Sequence, residues 1–526
     1  MTGFVVGSSS SYVGEGYVGE LDASSLGALW DIQFHIAGTW ITVSRDVVKS
    51  ETVSYKQGFG GIGAKDLVAI IGTLSFTLDN SEANSAGLLG YYAPGHANCR
   101  TGFERDMRVR VRFTYNSNAF YAWHGRMRQI EPIAGRFGER LTHVQAVDYM
   151  GIASEAQLTQ LTIRENKRFD ELAAYAVAAI GTQPINTAYS VDPSTCEIAF
   201  HLEQDEKSSI VNVLQKVCQS AGGRVYITGN DTDGETLVYE NRHERALRSL
   251  AATFNNTMSG VGVTWKSAEN ITKVRTAIYP VRVDTAATTV LASLADEVAI
   301  SPGKSYTFNL RVRDPNGNNR ISGTALVSPL VSMTDYKISA TAGSGGSDLN
   351  SQMTIGTPSG TNTISVTITN PLTVAAYVNF LQVRGKGIYP FDVLDHITGS
   401  GDRALTYEMP YCSDFGFGRD YSTYLHGRFS QSLPNVKDVW FYAEANSTFM
   451  GYLMGGVAIG SRILLQEGAT GLNAEFFVDQ IMVDIMGNGS QIKVMYMVSP
   501  AESAQWFILD DTDYGVLDDT SIVLAI

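Results

Sequence analysis

Cysteine is scarce in this chain of 526 residues: Cys99, Cys196, Cys218 and Cys412 are the only four, and they lie far apart. No CxxC pair and no histidine at ligand spacing accompanies them. That excludes a zinc ribbon or a disulfide scaffold and predicts free thiols made in a reducing cytoplasm. Charge is thin as well, at 17% of residues, and its balance is acidic, 53 against 39, for a net charge of -14. A grip on nucleic acid needs an excess of lysine and arginine to displace counterions, so nucleic-acid binding is not expected. No apolar run is long enough to span a bilayer, which predicts no stable membrane insertion. Residues 1–20 lack a basic segment followed by an apolar one, so no export by a signal peptide is expected.

Catalytic signatures are missing too. The eight histidines are dispersed and form no HExxH pair, which leaves metal-assisted hydrolysis without a foundation. The glycine clusters GFGGIG (58–63), GSGG (343–346) and GNG (487–489) lack the strand before and the Lys-Ser/Thr helix after that a phosphate loop requires, and read as loops or turns. The segment NDTDGE (230–235) places Asp231, Asp233, Gly234 and Glu240 at calcium-loop spacing. Gly229 would stand at the first ligand position without a side-chain oxygen, and the flanks read as strands, so a hairpin turn is predicted. The acidic pairs Asp510-Asp511 and Asp518-Asp519 read as solvated turns rather than a glycosidase couple. No catalytic, cofactor-binding or metal-ligating residue is assigned, and the chain is not expected to be an enzyme.

What the sequence does contain is alternation. Fifty-one glycines, 25 tyrosines and 22 phenylalanines suit strands joined by tight turns. Period-two stretches run from residue 38 to about 150, among them TWITVSR, GTLSFTLDN and AFYAWHGRMRQIEP. The clearest is MRVRVRF, where Met107, Val109, Val111 and Phe113 alternate with Arg108, Arg110 and Arg112. Its basic face reads as solvated or subunit-facing in preference to phosphate-facing. After residue 162 the period changes. Phe169, Leu172, Ala173, Ala176 and Ile180 fall at helical spacing before Gly181. Ile210, Val213, Leu214, Val217 and Cys218 do the same, with Ser208 or Asp205 as cap and Gly222-Gly223 as stop. A hairpin follows in RVYITGNDTDGETLVYENR.

Between residues 323 and 382 charge almost vanishes and Thr-rich strands alternate with Gly/Ser/Pro/Asn turns, which predicts an inserted sandwich of immunoglobulin type without a Cys pair. A helical passage is predicted near residues 420–432, with strands after it in VKDVWFYAE, SRILLQE, AEFFVDQIMVDIM and SQIKVMYMV. The expected fold class is mainly β and multidomain: two barrel-like tube domains, a small α/β domain and the inserted immunoglobulin-like β-sandwich. The predicted division is a first β domain at 1–150, the α/β domain at 151–250, a second β domain split into 251–300 and 386–500, the sandwich at 301–385, and a tail segment at 501–526.

In segment order the chain resembles the baseplate hub, or tail-tip, proteins of tailed bacteriophages and prophages. The resemblance lies in FTLDNS (76–81), the loop through YYAPG (91–95), RVRVRF (108–113), WHGRMRQIEP (123–132), the FDELAAYAVAAI helix, VYENR, FFVDQIMVDI and the closing WFILDDTDYGVLDDTSIVLAI. It implies two related tube domains per subunit, a homotrimer that imitates a ring of six, and a virion protein of the tail tip assembled in the host cytoplasm. Implied partners are a tail tube or distal tail protein and tip or fibre proteins, with DNA passing through the channel unheld. An alternative is a receptor-binding tail protein whose sandwich holds a host-surface glycan; a peptidoglycan hydrolase ranks lower. In this reading the loop after Leu78 is a contact for a neighbouring subunit, and shortening residues 82–87 should leave the isolated subunit folded.

Overall fold

Strands dominate wherever the sequence alternates. The computed structural model describes residues 29–501 apart from 134–138, 159–160, 202–207, 230–231, 265–270, 314–321, 431–434 and 487–488, together with 506–507 and 523–524. The N-terminal stretch, Asp205, Asp231, most of GNG (487–489) and the acidic pairs near the C-terminus therefore lie outside the described residues. The fold is mainly β and contains several sheets.

The largest sheet has thirteen strands. Its N-terminal half runs Val53–Gly58, Thr73–Asp79, Leu141–Val147, Asn118–Pro132, Arg108–Tyr115, Leu29–Ile36 and Thr39–Thr42. Its C-terminal half runs Gly260–Thr264, Asn435–Tyr442, Gln491–Pro500 and Leu472–Met486, with Arg462–Glu467 and Leu250–Phe254 beside the last. Rings from distant segments fill this half: Phe254 lies 5.6 Å from Phe441, 5.0 Å from Tyr452 and 6.1 Å from Tyr496. Such ring pairs add about 0.5–1.5 kcal/mol each beyond the area they bury.

One long strand joins the halves. The first part of Leu472–Met486 pairs with Arg462–Glu467 as far as Phe477, and its second part pairs with Val53–Gly58 from Gln480 onward. Asp479 sits at the changeover, and there the pairing with Gln491–Pro500 also slips by one residue between Val478 and Gln480. This bulge turns an acidic side chain inward in a strand that is otherwise apolar at the site. Across from it, Gly58 has φ of 120° and a Cβ there would meet the Asp479 carbonyl oxygen at 2.3 Å, so only glycine lets the two backbones close.

The small α/β domain carries helices Phe169–Ala178 and Ile210–Ala221 on a sheet of Asn186–Tyr189, Thr236–Glu240 and Arg224–Thr228. The predicted inward residues Phe169, Leu172, Ala173, Ala176, Ile210, Val213, Leu214, Val217 and Cys218 are all buried. The cap of the second helix is Ser209, which accepts from Asn212 N at 3.3 Å, one residue beyond the predicted Ser208; Gly222 ends the helix at φ of 73°. Ser208 is drawn instead into a short strand pair with Leu158.

Part of the stretch expected in the second tube domain forms a separate sheet. Leu394–Gly399, Lys273–Ile278 and Ala404–Met409 pair in that order, and helix Phe415–Ser430 covers one face through Thr276 Oγ1 donating to Gly418 O at 3.0 Å. The helix that follows Ala404–Met409 thus covers a sheet whose central strand, Lys273–Ile278, comes from far earlier in the chain. The sandwich is inserted inside this hairpin, since Ile278 and Leu394, on either side of it, are paired neighbours. Its core takes Phe308, Leu310, Ile364, Val366 and Ile368 from one sheet and Leu291, Ile338, Val378, Leu381 and Val383 from the other. That core is separate from the main one.

Candidate functional site

The strand Thr73–Asp79 ends as predicted, and the loop after it is built rather than loose. Asp79 Oδ1 accepts from Ser81 N at 2.8 Å and from Ser81 Oγ at 2.6 Å, which turns the chain away from the strand. Buried Asn80 accepts from Tyr92 N at 2.7 Å. Buried Asn84 donates to Ser81 O at 2.6 Å and Leu88 O at 2.8 Å, and accepts from Ala86 N at 3.0 Å. At the centre lies Asp46, 3% exposed. Its carboxylate accepts from Ser85 N at 2.7 Å, Ser85 Oγ at 2.5 Å and the Tyr92 hydroxyl at 2.5 Å. Burial, followed by the Asp46 carboxylate, pushes the Tyr92 hydroxyl well above its ordinary range.

These contacts bear on the expectation that shortening residues 82–87 leaves the isolated subunit folded, because Asn84 and Ser85 are tied into the body. Removing Ser85 takes two of the three donors from the buried Asp46 carboxylate and leaves it only the Tyr92 hydroxyl, a loss of about 1–3 kcal/mol. The outward side of the loop, at Glu82, Ala86, Gly87 and Leu88, remains exposed and is the part available to a neighbour.

The arginine strand is also read differently in the structure. Val109, Val111 and Phe113 are buried as predicted, but Arg110 on the opposite face is only 4% exposed. Its guanidinium lies between the rings of Trp40 and Tyr121, at 4.1 and 4.2 Å, and donates to Gln33 Oε1 at 2.8 Å and Thr232 O at 2.5 Å. Arg108 donates to Asp233 O, and Arg112 pairs with Asp31. Burial, against the neighbouring Tyr121 and with Arg112 and Arg108 adding to it, pulls the Arg110 guanidinium down to about 10. The basic face is therefore neither solvated nor open to phosphate: two of its arginines hold the tip of the 224–240 hairpin. The NDTDGE turn serves that contact through its backbone carbonyls, while Asp231 is outside the described residues.

A solvent-open cleft of about 410 Å³ lies nearby, lined in part by Asp106, Arg126, Arg128, Glu155 and Thr182. Three of its charges are paired, Arg128 lying 2.5 Å from Asp106 Oδ1 and 2.8 Å from Glu155 Oε2, while Arg126 donates to the Asp106 carbonyl oxygen at 3.5 Å. The helix Tyr149–Glu155 that forms one wall is capped by Asp148, whose carboxylate accepts from Met150 N at 3.0 Å. Burial pushes the Asp148 carboxyl up to about 7, against the backbone N–H groups of Gly72, Gly151 and Met150.

Among the described residues no three His, Cys, Asp or Glu side chains converge as metal ligands, and no helix is long and apolar enough to cross a membrane. All four cysteines are free, with Cys196, Cys218 and Cys412 buried. Sequence reasoning missed Asp46, Tyr92 and Asp479. Only Asp479 left a trace, as the point where FFVDQIMVDI breaks its apolar run.

Two outcomes follow from these contacts. Asn84→Ala should cost about 2–3 kcal/mol by denaturant unfolding, whereas Glu82→Ala on the exposed side should cost under about 0.5 kcal/mol; equal costs would contradict the buried role of Asn84. For Asp148 the folded state keeps a proton that the unfolded chain has lost, so wild-type stability falls as pH rises from the ordinary value of 3.8 towards 7. Asp148→Asn keeps the cap oxygen without the charge. Its Tm advantage over wild type should grow between those limits and level off above them; an advantage that shrinks with rising pH would reverse the assignment.

No family model matches the chain, and no curated protein matches it. Solved structures do resemble it. A tail protein from Neisseria meningitidis MC58 is 9% identical, with a TM-score of 0.46 over 89% of this chain and 96% of that one. A 43 kDa tail protein of prophage MuSo2 from Shewanella oneidensis is 8% identical, with a TM-score of 0.47 over 90% of this chain and 99% of that one. An E. coli protein described as a component of the type VI secretion system is 8% identical, with a TM-score of 0.38 over 90% of this chain and 77% of that one. The structural neighbours are thus phage and prophage tail proteins and a secretion-system component related to them in description.

Proposed function

We propose that the chain is a structural hub of a phage or phage-like tail: three copies form a ring that continues and closes the tail tube, joins tip or fibre proteins, and leaves a channel for DNA. One observation carries this reading. A single subunit holds two β regions side by side, fused into one sheet where Val53–Gly58 pairs with Leu472–Met486. Three such subunits supply six β units to a closed ring, and closed symmetry is how identical chains end an assembly. In this reading the tube domains are the N-terminal and C-terminal β regions, the small α/β domain lies between them, and the sandwich is an appendage.

The acidic balance of the chain, -14, fits a wall past which DNA slides without being held. The exposed tip of the 82–88 loop, fixed from beneath by Asp46 and Asn84, gives a neighbouring subunit or ring a surface of defined shape. No reaction is assigned in this reading.

A second reading, host-glycan binding by the sandwich, draws on the hydroxyl-rich outer face of strands Ser305–Arg311 and Thr363–Thr369. There Ser305 meets Thr369 at 2.7 Å, Thr307 meets Thr367 at 2.9 Å, and Ser365 donates to Asn309 at 2.7 Å, with the exposed Arg311 the one charge at the end of the same row. Paired hydroxyls also serve ordinary solvated strands, so this reading stands second. The test of the first is immunogold imaging of assembled particles with antibody to this chain. Label at the tail tip, with cross-linked trimers recovered from the particles, is expected; particles complete without the protein at the tip would rule the hub reading out.

A further inference from the structure

Among the described residues, one small apolar cluster and one ion pair join the sandwich to the small α/β domain. The sandwich core is distinct from the main one, and the small cluster between them is Ile163, Ile198, Val281 and Ile388, with Val283 packed against it. Ile198 lies on strand Thr195–Ala199 of the small α/β domain. Val281 and Ile388 lie at the foot of the sandwich, where Val281–Val283 pairs with Ala376–Pro390. Beside this patch Lys386 Nζ is 3.4 Å from Glu165 Oε2, with both side chains more than a quarter exposed.

The covalent connection is equally slight. Ile278 pairs with Leu394 on the body side, and Val281 pairs with Pro390 on the sandwich side. Only residues 279–280 and 391–393 lie between, bridged by Phe391 N donating to Pro280 O at 3.0 Å. Phe391 and Val393 on this ribbon are 55% and 44% exposed, whereas Tyr279 and Pro280 are half-buried and Tyr279 N donates to Cys412 O at 3.1 Å, so only one of its two strands is held to the body. Among the described residues, five aliphatic side chains and one half-wet ion pair form this contact, short of the interface that fixes two domains rigidly, and relative motion is the ordinary consequence of so small a contact. Hinges of this kind lie at the few residues between elements that can absorb backbone rotation.

We infer that the sandwich is a hinged arm, which turns about residues 279–280 and 391–393 between a pose clasped to the small α/β domain through Ile163, Ile198, Val281 and Ile388 and an open pose released from it. The clasp is the device that sets the balance between the poses. Its ion pair sits at the rim, and its aliphatic patch is the part that water would enter on opening.

Hydrogen exchange on the full chain tests this, with Glu165→Lys, which sets like charges at the rim, and Ile198→Ser, which makes the patch polar. Exchange in Thr195–Ala199 and Val281–Val283 should rise about threefold in the first variant and about tenfold or more in the second. The sandwich strand Thr363–Thr369 and the body strand Leu472–Met486 should keep their rates, and small-angle scattering should show a larger maximum dimension. Unchanged exchange at both clasp strands, or an equal rise in all four strands, would overturn the hinge. Should Ile198→Ser fail to fold, Glu165→Lys alone decides, since it alters a part-exposed pair outside either core.

Discussion

A buried carboxylate meets two guanidiniums at the point where the two halves of the protein join. Asp479 is 1% exposed at its side chain, pairs with Arg245, and has Arg224 Nη1 at 3.6 Å. Burial alone would raise this carboxyl, but Arg245 and then Arg224 outweigh it and hold it below the usual carboxylate range. The guanidiniums are themselves placed by rings, Arg245 over Phe477 at 4.6 Å and Arg224 over Phe59 at 5.2 Å. Such a pair adds little net stability over a well-packed apolar replacement, yet removing one partner costs about 3–5 kcal/mol. Its effect is on register. A slip of the Leu472–Met486 strand by one residue would carry the charge away from both arginines and place the uncharged Val478 or Gln480 where it stood.

The cluster also explains why the small α/β domain belongs to the body while the sandwich does not. Arg224 and Arg245 come from that domain, and a further bridge pairs Val225 with Val68, supported by Ala69 N donating to Val225 O at 2.8 Å. With Arg108 and Arg110 gripping the hairpin tip, the domain is tied at three places to both halves of the large sheet. The sandwich, inserted within a single hairpin, has one foot.

Much of the secondary structure was legible because it is local. The alternation of Val109, Val111 and Phe113, the helical spacing of Phe169 to Ala176, and the Gly222 stop each depend on neighbours a few residues away, and each appears as read. The charge-poor Thr-rich segment correctly announced a sandwich, although its core begins at Leu291, ahead of residue 301, where short strands of mixed polarity gave no boundary signal. What depends on distant partners was not legible. Nothing in RVRVRF says that Arg110 will be enclosed by Trp40 and Tyr121 and capped by a carbonyl at position 232. Nothing in NSEANSAG reveals that Ser85 serves a carboxylate 39 residues earlier. The separate sheet of Lys273–Ile278 was hidden for the same reason, since its pairing partner lies beyond an entire inserted module.

The central claim is that residues 53–58 and 472–486 are adjacent strands of one sheet. Ser54 and Asp484 are paired across it, with Ser54 Oγ donating to Asp484 Oδ1 at 2.6 Å. Combining Ser54→Cys with Asp484→Cys and following oxidation by mass mapping measures that adjacency directly. The account predicts an intramolecular disulfide between positions 54 and 484 in the folded chain, with unchanged unfolding behaviour before oxidation; a folded double variant that fails to form the bond, while oxidising readily with external thiols, would contradict it.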